Sequence, residues 1–299
     1  MPGPFRKPVL IFNPEAGKIK RGSGRLLRDV QKALADAGFA PELIPTTGPG
    51  VAGELARRAI DNGADLIIGL GGDGTINEIA SGVIGTQVPL AILPGGTANV
   101  MSIETRGGTN PVKAARQLAT RKSQRIAVGK LNSTTVRDRH FLAMAGVGLD
   151  AHVVYRVDPN LKRKTGKFAY WVAGLQQFLG KLHPVPLDGD VYGFVLASRV
   201  RNYGGDLELA RGASLSRDEF EVVKFRGTNP LRYGLYMLGA VVRQHFRLPG
   251  ISVEKRSSIE FPHPGAHVQM DGEYAGQTPA TIELIPDALT LLVPQQFIQ

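Results

Sequence analysis

Three short runs of this sequence carry residue types that could do chemistry. Gly71-Gly72-Asp73-Gly74-Thr75-Ile76-Asn77-Glu78 follows the apolar run Leu66-Ile67-Ile68 and opens a helical pattern. Glycines at the end of a buried strand let the backbone come close to a charged ligand. The helix that follows presents unpaired N–H groups to phosphate oxygens. Asp73 inside such a loop would repel phosphate unless a metal ion lies between them, so it points to a metal-nucleotide. Pro94-Gly95-Gly96-Thr97-Ala98-Asn99 is a second glycine-rich turn after an apolar run. Asp271-Gly272-Glu273 lies between two strand patterns near the C-terminal end. An Asp-Gly pair also makes an ordinary hairpin turn. Glu273 becomes a proton acceptor for an attacking hydroxyl only if it borders a cleft.

The elements that must position these residues follow from periodicity. Residues 1–125 alternate strand and helix. Pro8–Phe12, Glu42–Pro45, Leu66–Gly69 and Val88–Leu93 read as strands. Leu26, Leu27, Val30, Ala33, Leu34 and Ala37 recur at helical spacing, as do Leu55, Ala56, Ala59 and Ile60, and Ile76, Ile79, Ala80 and Val83. Such alternation predicts a mostly parallel sheet covered on both faces. Its strands end along one edge, where ligands bind. That edge gathers Asn13, Thr46, the run Gly71, Gly72, Asp73, Gly74 and Thr75, and the pair Gly96 and Thr97: a nucleotide site.

From residue 126 to 299 the period changes. Short strands are expected at Arg125–Leu131, Phe141–Ala145, Tyr192–Ser198, Phe220–Phe225, Ser258–Phe261, Ala266–Met270, Thr281–Ile285 and Leu289–Val293. Two helical patterns interrupt them, near Phe168–Leu182 and Leu231–His245. The expectation is an α/β nucleotide-binding domain over 1–125 and a mainly-β domain, sandwich or barrel, over 126–299.

Composition narrows the classes. The 299 residues include no cysteine, which excludes disulfides and thiol catalysis. The net charge of +10 suits an anionic partner such as phospholipid, nucleic acid or polyphosphate. No run is long and apolar enough for a spanning helix, and the N-terminal residues lack the apolar core of a signal peptide. A cytoplasmic location is expected, with peripheral contact at the inner face of a membrane. Lys162 to Trp171 places four basic residues beside three aromatics, suited either to a solvated loop or to a membrane interface. His263 and His267, flanking Pro264 and Gly265, read as turn residues rather than metal ligands.

Two nucleotide classes fit poorly. Gly69-Leu70-Gly71-Gly72-Asp73-Gly74 matches the dinucleotide pattern G-x-G-x-x-G. However, the next strand ends in Pro94-Gly95-Gly96-Thr97, with no carboxylate for a ribose. No G-x-x-x-x-G-K-[ST] run occurs, so a P-loop kinase is unsupported.

Together these residues resemble the diacylglycerol kinase catalytic-domain family, and most of all its soluble bacterial lipid kinases, related to sphingosine and ceramide kinases. The resemblance covers Asn13-Pro14, Thr46, Gly71 to Glu78, Pro94 to Asn99, Gly146 to Ala151, Leu215 to Val222, and Val268 to Glu273. The Gly-Gly-Asp-Gly-Thr loop alone is shared with NAD kinases; the ordered set is specific. The family implies an NAD-kinase-like α/β domain, a β-sandwich domain, ATP, Mg²⁺ and a lipid hydroxyl as acceptor. By that similarity Thr46, Gly71–Thr75 and Thr97 contact ATP, and Glu273 is the proton acceptor. Leu215, Asp218 and Phe220 surround a structural Mg²⁺, partly through backbone carbonyls. The chain departs from the family at Val100, Ala127 and Glu219, where acids, acids and a glycine respectively are common. Asp73 and Glu273 remain as the main acids. The expected partner is a lipid substrate at a membrane surface, without nucleic acid; a homodimer is compatible with the sequence. The alternatives are a non-catalytic nucleotide- or lipid-binding regulator, and a kinase of a small soluble acceptor related to NAD kinases.

Overall fold

The computed structural model describes residues 5–22, 24–151, 183–204 and 207–298. The Lys162–Trp171 run and the helical pattern near Phe168–Leu182 lie outside the described residues. The chain divides into two compact units. One comprises residues 1–128, 215–217 and 286–299; the other comprises 129–214 and 218–285.

In chain order, the first unit opens with β1 (Pro8–Phe12), α1 (Gly17–Arg21), α2 (Arg25–Asp36), β2 (Glu42–Pro45), α3 (Ala52–Asp61), β3 (Leu66–Gly71), α4 (Asp73–Val83), β4 (Leu90–Pro94), α5 (Val100–Glu104) and α6 (Pro111–Arg116). The following elements are β5 (Lys122–Asn132), β6 (Arg139–Phe141), β7 (Met144–Gly148), β8 (Val185–Leu187), β9 (Asp190–Ser198), β10 (Asn202–Gly204), β11 (Leu207–Glu208), β12 (Phe220–Arg226) and α7 (Pro230–Val241). The chain continues with β13 (Ile251–Arg256), β14 (Ser258–Phe261), β15 (His267–Met270), β16 (Glu273–Gln277), β17 (Ala280–Val293) and α8 (Gln295–Ile298).

The first unit is built on a parallel sheet in the order β2-β1-β3-β4, with the end of β17 added parallel to β4 through Leu291 opposite Leu90. All six residues of β3 are buried, as a strand covered on both faces requires. Leu10, Leu66, Ile68, Leu70, Ala91 and Leu93 share one core with Val30, Ala33 and Leu34 of α2 and Ala114 and Ala115 of α6. The sequence pattern places α6 sharply: Asn110 accepts a hydrogen bond from the Lys113 N–H at 3.0 Å, and Pro111 occupies the first turn. Glu78 belongs to the glycine-rich run but serves the scaffold. Its carboxylate accepts the N–H groups of Gly50 and Ala52 at 2.9 and 3.2 Å, at the start of α3.

The second unit is antiparallel, in the order β13-β12-β9-β7-β15-β16, with β8 on β9. Its core joins Ala145, Val147, Phe220, Val222 and Val268 from that sheet to Leu131, Phe141, Ile259, Phe261 and Ile282, which form the sandwich's other layer. That layer pairs β5 with β6 and β14 with β17.

Three local expectations need correction. The two strands expected at Thr281–Ile285 and Leu289–Val293 are one 14-residue strand, which runs on through Pro286 and Asp287 although Asp287 takes a positive φ of 54°. His267 is no turn residue. It is a buried member of β15, with its Nδ1 3.1 Å from the Tyr274 hydroxyl. The Glu273–Gln277 strand was not anticipated, since it contains a glycine and little alternation.

Candidate active site

The register of the parallel strands decides which loops meet. Phe12 pairs with Leu70 and with Pro45, and Gly71 with Pro94. Asn13, Thr46, Gly72 and Gly95 therefore leave the sheet side by side. The chain runs from β1 outward to β2 and then crosses back to β3, so the strand order reverses between β1 and β3. Ligand crevices form at such a point. Here the Asn13 amide donates to the Thr75 hydroxyl at 3.2 Å.

The two glycine-rich turns are stacked. The Gly95 N–H donates to the Gly71 carbonyl at 2.7 Å. A Cβ on Gly96 would lie 2.5 Å from the Gly72 Cα, so backbone meets backbone where no side chain fits. Asn99 holds this turn from within. It adopts a positive φ of 51°, accepts the Gly96 N–H at 2.9 Å and donates to the Gly96 carbonyl at 2.9 Å. Asp73 opens α4 and is half-buried. Burial raises its pKa, while the nearby backbone N–H groups of Met101, Val100 and Asn99 act to lower it. Thr75 and Thr46 are buried, whereas Gly74 and Thr97 are exposed. Such an arrangement can take phosphate oxygens on the α4 N-terminus and keep an acid beside them.

In the second unit, Asp271 and Gly272 form the tight turn between β15 and β16, with φ of 47° and 78°. The Asp271 carboxylate does not face solvent as in an ordinary hairpin. It accepts the N–H groups of Leu142, Ala143 and Met144 at 2.8, 2.9 and 2.9 Å. Gly272 donates its N–H to the Gln269 side-chain oxygen at 2.9 Å. The Gln269 amide nitrogen donates in turn to buried Asp150 at 2.8 Å. Glu273, first in β16, is thus carried by a fully tied turn. Its carboxylate pairs with the Arg139 guanidinium at 2.5 Å, with both side chains near 44% exposed (44% and 43%).

The chain matches the family model of the diacylglycerol kinase catalytic domain over residues 7–131. Over that stretch the chain is similar to the diacylglycerol kinase catalytic domain, and its relatives carry the same name. Among its relatives, the diacylglycerol kinase of Staphylococcus carnosus is 26% identical over 296 residues, which is 96% of this chain and 94% of the relative. That of Staphylococcus haemolyticus is 28% identical over 282 residues, 91% and 83% of the two chains. A solved Bacillus anthracis structure, provisionally named for the same activity, superimposes with a TM-score of 0.79 at 26% identity and covers 98% of this chain and 97% of its own. Another from that organism, named a diacylglycerol kinase, has a TM-score of 0.71 at 22% identity, which speaks for the fold. These relatives support a kinase, a phosphotransferase with an alcohol acceptor.

Within this chain, the candidates named from sequence fall in three places. Asn13, Thr46, Gly71–Thr75, Gly96 and Thr97 share the strand-end edge of the first unit. Glu273 lies on the tied turn of the second. Leu215 is buried in the first unit, while exposed Asp218 and buried Phe220 belong to the second. Among the described residues there is no group of three or more His, Cys, Asp or Glu placed to hold a metal. Magnesium also accepts carbonyl and water oxygens beside a single carboxylate. Asp218 and its neighbouring carbonyls therefore suit that ion by donor type. The glycine cradle suits a nucleotide phosphate for the reason given by Gly72 and Gly96: added carbon would fill it.

Sequence reasoning does not reach Arg139, and it leaves Asn99, Asp150 and Gln269 without roles. Nothing local marks Arg139, which lies 134 residues from its partner. The Gly146–Ala151 run did draw notice, and Asp150 is the titrating group in it. Burial pushes its carboxyl up to about 7, against the lowering pull of Gln269, the Ala151 N–H and Tyr203. Unfolding returns it to the ordinary value near 3.8. Between these limits the folded state holds the extra proton. The stability contributed by this group therefore falls as pH rises from about 4 to about 7, then stays level, with a slope of up to ~1.4 kcal/mol per pH unit. Urea midpoints measured from pH 5 to 8 should show this decline in the wild type and not in Asp150→Asn. Parallel curves would overturn the assignment.

Proposed function

We propose that this chain is an ATP-dependent lipid kinase that transfers the γ-phosphate to the hydroxyl of diacylglycerol or a related lipid. The observation that carries the reading is the stacked pair of glycine turns at the strand-order reversal, with Asp73 at the head of α4. Mg²⁺, when bound with ATP, would offset phosphate charge and polarise the γ-phosphoryl group.

The chain's own residues supply the rest. The N–H groups at the start of α4 receive phosphate oxygens, and the Gly95–Gly96 turn packs against Gly71 and Gly72 beside them. Thr75, fixed by Asn13, and Thr97 add hydroxyl donors. Asp73 holds negative charge where a metal would need it. Glu273 accepts the acceptor's proton as the lipid O–H bond breaks. A bond forms from the lipid oxygen to the γ-phosphorus, and the bond from that phosphorus to the bridging oxygen breaks, releasing ADP. Arg139 orients Glu273 for this step.

The test is incubation with labelled ATP and a total lipid extract, followed by mass analysis of the product. A phosphorylated lipid is expected. ATP binding without transfer to any lipid would instead favour the regulatory reading suggested by Val100 and Ala127. Transfer to a small acceptor with no bilayer present would favour the soluble-substrate kinase.

A further inference from the structure

Helix α7 is apolar on two opposite faces. Tyr233, Tyr236 and Ala240 are buried and seat it on the second unit. The Tyr233 hydroxyl donates to the Phe225 carbonyl at 2.7 Å and accepts the Gly193 N–H at 3.0 Å. On the other side Leu231, Leu235, Leu238 and Val242 recur at spacings of four, three and four, forming one stripe. They are 83%, 63%, 62% and 57% exposed, and Val241 beside them 55%. A helix apolar all round is normally enclosed, so this face is built to be covered.

Charge selects what covers it. No Asp or Glu occurs from residue 222 to residue 253, while Lys224, Arg226, Arg232, Arg243 and Arg247 do. Lys224 and Arg226 are paired with Asp188, Glu254 and Asp190. Arg232, Arg243 and Arg247 are exposed and lie at the two ends of the stripe. Arg211, paired with Glu208, reaches the same C-terminal end through the Arg243 carbonyl and the Phe246 ring. A second copy docked about a two-fold axis would set these cations against their own equivalents. An apolar stripe with arginines at its borders and no acids fits the interface of an anionic bilayer, where leucines enter the acyl boundary and guanidinium groups meet lipid phosphates.

We infer that the Leu231–Val242 face of α7 docks on anionic membrane. This deepens the lipid-kinase reading and rests on it for its purpose, since the acceptor would lie in that bilayer; the binding itself stands apart from the chemistry.

The experiment is co-sedimentation of the full chain with vesicles of phosphatidylcholine alone, or mixed in equal parts with phosphatidylglycerol. Binding is expected to the mixed vesicles only and to weaken with salt. Leu235→Asp combined with Leu238→Asp should lower partitioning by about tenfold or more without changing the melting temperature, because both side chains are exposed. Neutralising Arg232, Arg243 and Arg247 to Gln should lower it on the order of a hundredfold. Phosphorylation of a short-chain diacylglycerol dispersed below its micellar concentration should be unchanged in the leucine variant. Equal partitioning of variant and wild type, or of neutral and anionic vesicles, would overturn the inference. So would a wild-type dimer that the leucine changes render monomeric. Vesicle binding that depends on these leucines in a protein that phosphorylates no lipid would leave the inference standing and remove the kinase reading instead.

Discussion

Replacing Glu273 with Gln is expected to lower the turnover of lipid phosphorylation by about 10²–10⁴-fold, the usual contribution of a positioned general base. The KM for ATP and the melting temperature should stay close to wild type. The separation follows from where the residue sits. The turn beneath Glu273 is held by Asp271 through three backbone N–H groups and by the Gly272–Gln269 bond. None of these involves the Glu273 side chain. Glutamine keeps an oxygen for Arg139, so the guanidinium retains a partner, but it cannot take a proton at neutral pH. Steady-state kinetics with ATP and a lipid acceptor, alongside nucleotide-binding calorimetry, would read both effects. Full activity in Glu273→Gln would exclude it as the proton acceptor.

Gly96→Ala is expected to weaken nucleotide binding by at least about tenfold and to cost about 1–3 kcal/mol of stability, as overpacking does. The new methyl carbon would sit 2.5 Å from the Gly72 Cα. The atom it meets is backbone, not the movable end of a side chain. Either the two turns separate, or the Gly96 N–H leaves Asn99. Both changes disturb the N–H groups that would receive phosphate. Gly74→Ala, one turn away, provides the contrast. A Cβ there meets nothing within 4 Å, and alanine favours a helix over glycine. Thermal melts of the two variants should separate them clearly, and calorimetric ATP titration reads the affinity lost in Gly96→Ala. Equal affinity in Gly96→Ala and wild type would show that the close approach of the turns does not shape the phosphate site.

Much of the first unit was legible because its signals are local. The buried run Leu66–Leu70, the glycines after it and the spacing of Ile76, Ile79, Ala80 and Val83 each depend on residues a few positions apart. Parallel strands share a direction, so their ends must fall on one edge, and Asn13, Thr46, Gly71 and Gly96 could be grouped from strand order alone. The second unit was less legible. Tyr192–Ser198 and Phe220–Phe225 are apolar and β-branched enough to be seen, but Glu273–Gln277 is not. Pro286 and Asp287 lie between the strands expected at Thr281–Ile285 and Leu289–Val293. Both are tolerated within one long strand. The residues from Pro286 onward also pack with the first unit, which no local pattern signals.

By itself the sequence determined the strand–glycine–helix units, the edge where their loops gather, and the acids Asp73 and Glu273 as chemical candidates. Periodicity reports whether a residue is inside or outside and what backbone it prefers, and these follow from near neighbours. Only the tertiary structure decided the partners: Asn99 with Gly96, Gly72 against Gly96, Asp271 in its nest of three N–H groups, and Arg139 with Glu273. It also decided that, among the described residues, the second apolar face of α7 stays exposed. Each of these depends on register and packing between segments far apart in the chain, where the backbone geometry of one strand or helix sets which side chain another can reach.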